Sequence, residues 1–235
     1  MGKRIIQQAR GHGSLTYRTS KRAFRVKISY PDPQEHGVAK VIKLLNITGY
    51  SSPLAKILFK GKMYYNFANQ NLQEGQEIFI GQGAEIKDGN ISLLKDLPIG
   101  TSVFNVESYL GGNGVFVRSG GTSAKIIKKD NNTVTLFLPS KQEKNFTPNL
   151  RATVGIIAGA GRKEKPFLKA GPVYLKMKAR GGRIYPRTSA VKMNIVDHPF
   201  GSGRGKRIKS KIAKRNAPPG ANVGHLRPRR TGKAK

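Results

Sequence analysis

The stretch "KKDNNTVTLFLP", residues 128–139, shows the fold in miniature. Val134, Leu136 and Leu138 alternate with Thr133, Thr135 and Phe137, the two-residue period of a strand with one buried face. Asp130, Asn131 and Asn132 form a turn before it. The same style recurs outward in both directions. Segments 37–48, 54–60, 63–67 and 77–81 read as strands, as do 101–110, 122–129, 133–139 and 152–159. Gly49, Pro53, Gly61 and the Asn/Gln/Gly run 69–75 punctuate the first group. Segment 83–100 is polar and Gly-punctuated, with Pro98 near its end, and divides the set in two. The class is mainly β, and two small barrels are expected. The lengths suit an oligomer-binding (OB) barrel and an SH3-like barrel; the pattern alone fits one larger sandwich equally well.

Charge adds a second layer. The chain has 235 residues, with 44 Lys and Arg against 12 Asp and Glu, a formal net charge of +32. Such a charge repels itself and attracts polyanions. Residues 1–31 hold eight basic residues and no acid, 32–161 hold fourteen against ten, and 162–235 hold twenty-two against two. The middle is balanced like a globular body, and the ends are basic arms. Between Gly201 and Lys235 there are twelve basic residues, no acid and no aromatic, with Ile208, Ile212, Val223 and Leu226 the only large aliphatics. That segment buries too little apolar surface to order alone and is expected to order against a partner. The N-terminal arm has the composition of a transit peptide, but Gly11 and Gly13 interrupt the helix such a peptide needs. It reads instead as a second polyanion-binding arm.

Membrane insertion is not expected, because no apolar run approaches the span of about 18 residues. With no Cys, and with His12, His36, His198 and His225 far apart, neither a disulfide framework nor a structural metal site is expected. Enzyme signatures fail in turn. "FGSGRGKR", 200–207, has Phe200 where a P-loop needs Gly and Arg207 where it needs Ser or Thr. Asp197 and His198 are adjacent, so in an extended segment their side chains point apart, and no G-x-S-x-G elbow occurs. The carboxylates do not cluster as two-metal hydrolysis requires. His198 is the one candidate catalytic group, and no enzyme activity is expected. In the same stretch Pro199 fixes the backbone, the glycines let bare backbone approach a phosphate, and Arg204, Lys206 and Arg207 supply charge. Helix-turn-helix, zinc-finger and ribonucleoprotein signatures are absent from the sequence. A β body with two basic arms suits folded RNA.

Several stretches carry a resemblance as well. "LPIGTSVFNVE" (97–107), "VRSGGTSAKII" (117–127), "RATVG" (151–155), "AVKMNIVDHPFGSGRGK" (190–206) and "RNAPPGANVGHLRPRRTG" (215–232) occur in this order. Together they resemble the universal large-subunit ribosomal protein two family, in its archaeal and eukaryotic branch and the archaeal side above all. The resemblance runs over essentially the whole chain. It implies an OB barrel followed by an SH3-like barrel, packed on large-subunit ribosomal RNA, with arms threading toward the peptidyl transferase centre. It further implies roles in RNA binding, subunit association, tRNA placement and support of peptide-bond formation. Met193, Asn194, Val196, Asp197, His198, Pro199, Gly201 and Gly203 match the family motif. His198 matches a histidine long discussed in that family and is read as a hydrogen-bonding and stacking contact that shapes RNA. Ala190, Lys192 and Ser202 depart from the family pattern.

The division expected is an arm at 1–36, an OB barrel at 37–85, an SH3-like barrel at 86–161 and a basic extension at 162–235. The expected ribosomal RNA contacts are Arg4 and Arg10 in the first arm and Arg118, Ser119 and Arg151 in the body. In the extension they are Arg180, Arg183, Arg187, Lys192, Asn194, Asp197, His198, Arg204, Lys206, Arg207, Arg215, Arg229 and Arg230. No cofactor or protein-bound metal is expected; magnesium or potassium would come only with the RNA. Expected partners are that RNA, neighbouring ribosomal proteins, the small subunit at an intersubunit contact and nearby tRNA, with no membrane. The chain is expected to be a monomer within the large subunit of cytoplasmic ribosomes.

Overall fold

A computed structural model of the chain describes residues 3–203 and 216. The chain divides into two units: Lys21–Leu168 form one, and the residues up to Ser20 together with those from Lys169 onward form the other.

The Lys21–Leu168 unit is a β structure. Its strands are β1 (Gly37–Leu45), β2 (Leu54–Phe59), β3 (Lys62–Phe67), β4 (Glu77–Ile80), β5 (Ile91–Leu93), β6 (Ser102–Phe104), β7 (Ala124–Lys129), β8 (Val134–Phe137), β9 (Glu143–Phe146) and β10 (Arg151–Val154). They join in the order β3-β2-β1-β4-β5-β10-β6-β7-β8-β9. The chain's alternation explains the meanders. In β8, Val134 and Leu136 are fully buried and Phe137 faces out. The Asp130 amide donates to the Thr133 carbonyl at 2.8 Å, closing the hairpin from β7. Two apolar clusters fill the unit. One gathers Val103, Ile126, Leu136, Phe146 and Val154, the other Val41, Ile57, Phe59, Ile78 and Ile91. A third, with Leu54, Phe67, Phe104 and Ile157, draws on strands from both halves of the sheet. Two clusters served by two sets of strands are what a pair of small barrels requires.

A polar network ties the clusters together. Arg151 and Glu107 are 2 % and 0 % exposed. The Arg151 guanidinium donates to Glu107 Oε1 at 2.7 and 3.1 Å and to the Pro31 carbonyl at 2.7 Å. The Arg151 amide donates to Glu107 Oε2 at 3.1 Å. Nearby, the Tyr30 hydroxyl donates its one proton to the Asn105 carbonyl at 2.8 Å. The Thr153 hydroxyl, 2.8 Å away, is therefore the donor to Tyr30. Asn66 bridges Thr153 and Asn105 at 3.0 and 2.9 Å. Burial pushes the Tyr30 phenol above its usual range, opposed by the Thr153 hydrogen bond, and the Glu107 charge adds to the rise.

Two sequence expectations are corrected here. Arg151, expected at the RNA, is instead buried in the core, its Nε, Nη1 and Nη2 each bonded to Glu107 or Pro31, so its side chain does not reach the surface. Residues 21–36 are not part of an arm: Ala23, Ile28 and Tyr30 are buried in the β unit. Their basic neighbours Arg22, Arg25 and Lys27 disguised an apolar face facing inward.

The other unit has little apolar interior. Its helices are α1 (Ile6–Ala9) and α2 (Ala170–Arg180), with a 3₁₀ turn at Ala190–Lys192. Among its described residues the buried hydrophobics are Ile5 and Phe200. Backbone hydrogen bonds join the two ends of the chain: the Lys3 amide to Val196 O at 2.8 Å, Ser20 to Arg180 O at 3.0 Å and Gly182 to Arg18 O at 3.0 Å. The N-terminal arm and the start of the extension, read from sequence as separate, thus share one fold. The segment 204–215 and 217–235, expected to order only on a partner, lies outside the described residues.

Two outcomes test the buried network. Glu107→Gln leaves the Arg151 charge uncompensated and should cost about 3–5 kcal/mol in chemical denaturation. Lys128→Ala, which removes the surface pair to Asp130, should cost at most about 1 kcal/mol. The second test uses pH. A phenol whose pKa is higher folded than unfolded stabilises fully below the unfolded value, near 10. Its contribution is lost as pH rises from there toward the folded value, because the unfolded chain loses the proton first. Stability should therefore fall above about pH 10, with Tyr30 contributing about 1.4 kcal/mol per pH unit. Tyr30→Phe should remove that part of the slope in denaturation curves taken across this range.

Candidate nucleic-acid interface

The unit that holds both chain ends carries the charge. Its described residues include eleven Lys and Arg, all exposed, and a single acid, Asp197. Asp197 pairs with Lys3 Nζ at 3.2 Å. Lys3 had not been singled out from the sequence; a contact spanning almost the whole chain leaves no local signal.

The motif Met193–Gly203 supplies the scaffold. Asp197 and His198 do not lie in an extended segment, as expected from sequence, but in a turn: both amides donate to the Asn194 carbonyl, at 3.0 and 3.1 Å. His198 is buried at 6 % exposure, and its ring meets Phe200 edge-on with centroids 4.9 Å apart. The Phe200 amide donates to His198 Nδ1 at 3.0 Å. An amide proton must meet a lone pair, so Nδ1 is unprotonated and the neutral ring carries its proton on Nε2. Nδ1 is therefore occupied, and the ring is held in place rather than left as a mobile base.

Gly201 closes the turn. A Cβ there would sit 2.4 Å from the Asn194 carbonyl carbon and oxygen, so only glycine permits the approach. The Gly201 amide donates to His198 O at 2.8 Å, and that of Ser202 to Met193 O at 3.2 Å. Ser202, at φ 68°, occupies the left-handed region, at a cost of about 1 kcal/mol for a residue with a Cβ.

Around this turn lie three clefts of about 460, 350 and 460 Å³ that share Ile6, Thr188 and Met193 in their walls. Arg10, Arg183 and Arg187 line the first, and Asp197 and His198 the second; Lys3, Arg4 and Lys192 line the third. The structure therefore gathers Arg4, Arg10, Arg183, Arg187, Lys192, Asn194, Asp197 and His198 at one place. Arg180, exposed at the end of α2, belongs to the same unit. Clefts lined by both apolar and cationic side chains offer phosphate contacts and a surface for sugar or base. Among the described residues there is no group of three His, Cys, Asp or Glu able to hold a metal.

Arg118 and Ser119 lie in the β unit. Arg118 is half-buried, donates to Gly114 O at 3.4 Å and sits 5.2 Å from the Phe67 ring centroid. Ser119 is exposed, and its carbonyl accepts the Thr122 hydroxyl at 2.6 Å. The next residue, Gly120, donates its amide to Ser51 Oγ at 2.9 Å. This stretch braces the unit, with the Ser119 side chain outward. Arg204, Lys206, Arg207, Arg215, Arg229 and Arg230 lie outside the described residues.

Comparison with known proteins is consistent over the length of the chain. The family described as "Ribosomal Proteins L2, C-terminal domain" matches residues 87–220. Large ribosomal subunit protein uL2 of Methanococcus maripaludis is 43 % identical, covering 99 % of this chain and 100 % of the relative. The proteins of the same name from Methanococcoides burtonii and Archaeoglobus fulgidus are each 41 % identical, covering 99 % of this chain and 100 % and 99 % of their own lengths. With the β body, the cationic clefts and this coverage together, the chain belongs to the large ribosomal subunit protein uL2 family, alongside its archaeal members.

Proposed function

We propose that this protein binds large-subunit ribosomal RNA through the cationic clefts around Met193. It is a structural constituent of the large ribosomal subunit and not an enzyme. The observation that carries the RNA reading is the charge imbalance of the unit holding both chain ends: eleven exposed cations against Asp197, which Lys3 already neutralises. Cations brought this close by the protein's own fold repel one another, and phosphates relieve the repulsion. A polyanion is thus part of the unit's energetics.

In this reading the β unit docks as two barrels, residues 37–85 and 86–161, and the basic ends run into the RNA toward the peptidyl transferase centre. There they support subunit association, tRNA placement and peptide-bond formation without performing it. Neighbouring ribosomal proteins complete the surroundings, with the small subunit and tRNA nearby. Magnesium and potassium arrive with the RNA, and no cofactor is bound. His198 acts by holding the Met193–Gly203 turn through Nδ1. No helix among the described residues is long and apolar enough to cross a membrane.

Affinity for a large-subunit ribosomal RNA fragment should fall steeply between about 50 and 200 mM salt, because each phosphate contact releases condensed counterion. Arg187→Ala should flatten the log–log slope by about 0.7–0.9 in a filter-binding titration. A flat salt response would oppose the proposal. His198→Gln removes the imidazole base but keeps a side chain that both donates and accepts hydrogen bonds. Ribosomes carrying it should form peptide bonds within about threefold of the normal rate, since loss of a general base costs about a hundredfold or more.

A further inference from the structure

A fourth cleft, of about 410 Å³, lies between α2 and residues 15–20. Its walls include Leu15, Tyr174, Met177 and Ile184, with Arg18, Lys178 and Arg183 among its cations and no acid. Tyr174 is 44 % exposed and Leu15 85 %. Lys178 Nζ lies 5.9 Å from the Tyr174 ring centroid, and the Arg18 guanidinium donates to the Gly13 carbonyl at 3.2 Å. The walls are fixed to each other by the Ser20–Arg180 and Gly182–Arg18 backbone bonds and the Thr19–Gly181 bridge. The cleft therefore exists before anything enters it.

We propose that this cleft receives one unpaired RNA nucleotide, its base stacked on Tyr174 and its phosphate held by Arg18, Lys178 and Arg183. The inference rests on the RNA-binding reading and narrows it to unstacked RNA at this position. An aromatic face open to solvent offers a stacking platform to any base. Lys178, over one face of the ring at the long limit of cation–π distance, supplies charge for the adjoining phosphate and leaves the other face to the base. A base within a duplex is stacked on its neighbours and cannot enter, whereas a splayed-out base can. The missing acid on the rim excludes a cationic partner. The flat ring favours a nucleobase over an acidic side chain, which has no face to stack.

The test uses the full chain with a labelled oligoadenylate of about eight nucleotides and an RNA duplex of equal phosphate number. Tyr174→Ala should weaken oligoadenylate binding about tenfold and duplex binding by less than about twofold, and Tyr174→Phe should restore the first. Tyr174→Leu keeps apolar bulk and helix propensity without a ring face, so it should behave like the alanine variant and separates stacking from damage to α2. Equal loss on both RNAs, or no loss on either, would overturn the inference while leaving RNA binding in place. Displacement of oligoadenylate by oligoglutamate with the same dependence on Tyr174 would make the cleft an acidic-peptide site and overturn it too. A wild-type chain that binds neither RNA would remove the RNA-binding reading and this inference with it.

Discussion

Like-charge repulsion sets the terms on which this chain folds. The β unit, with 21 Lys and Arg against 11 Asp and Glu, meets it only in part, and buries one cation outright by giving Arg151 a fully buried carboxylate in Glu107. Such a pair adds little net stability over an apolar core, but it tolerates no single loss. It also fixes the path of the chain, since Arg151 reaches the Pro31 carbonyl as well as Glu107. Among its described residues, the unit formed from both chain ends has no comparable device. It has one carboxylate and few buried hydrophobics, so main-chain hydrogen bonds and a glycine contact hold it together. A fold of this kind presents cations at fixed positions without neutralising them, which is what a phosphate-rich surface can use.

The turn around His198 shows how rigidity is obtained without a core. Gly201 lies against the Asn194 carbonyl, the Phe200 amide caps His198 Nδ1, and two amides converge on Asn194 O. Each contact is local, so the loop keeps its shape although the surrounding surface is wet and charged. The imidazole is spent as a strut at Nδ1. That role suits a residue that shapes RNA, and the adjacent Asp197 is removed from any catalytic partnership because Lys3 holds it. Ser202 accepts a backbone conformation that glycine would adopt more cheaply, so the turn carries local strain at this position.

Much of this was legible in the sequence, for identifiable reasons. Strands with period-two alternation or β-rich runs between turns, such as 54–60 and 133–139, fall where they were read. β5 was missed because three residues inside a polar, glycine-marked segment carry no period, although Leu94 and Leu97 beside it are fully buried. β9, "EKNF", buries only Phe146, so an edge strand of this kind looks like a loop. The expected strand 101–110 stops at Phe104 because Asn105 turns to φ 50°. Helix α2 buries no residue and carries Gly171 and Pro172 in its first turn, so neither apolar period nor propensity announces it; proline is tolerated there because first-turn amides need no intrahelical partner. For the interface, the Gly-rich motif and the charge runs were visible, and the clefts' cations were mostly named from them. Arg151 was misread because composition cannot separate a cation with a buried partner from one facing solvent, and the partner, Glu107, is distant in sequence.

The most direct measurement is lysine acetylation of the chain, free and within assembled large ribosomal subunits, read residue by residue by mass spectrometry. Lys169, Lys178 and Lys192 are exposed in the free chain. If the unit formed by the chain ends is completed by phosphate, all three should react readily in the free protein and become strongly protected in the subunit. Equal reactivity in the two states would show that these cations face solvent in the ribosome, and would contradict the assignment of this surface to RNA.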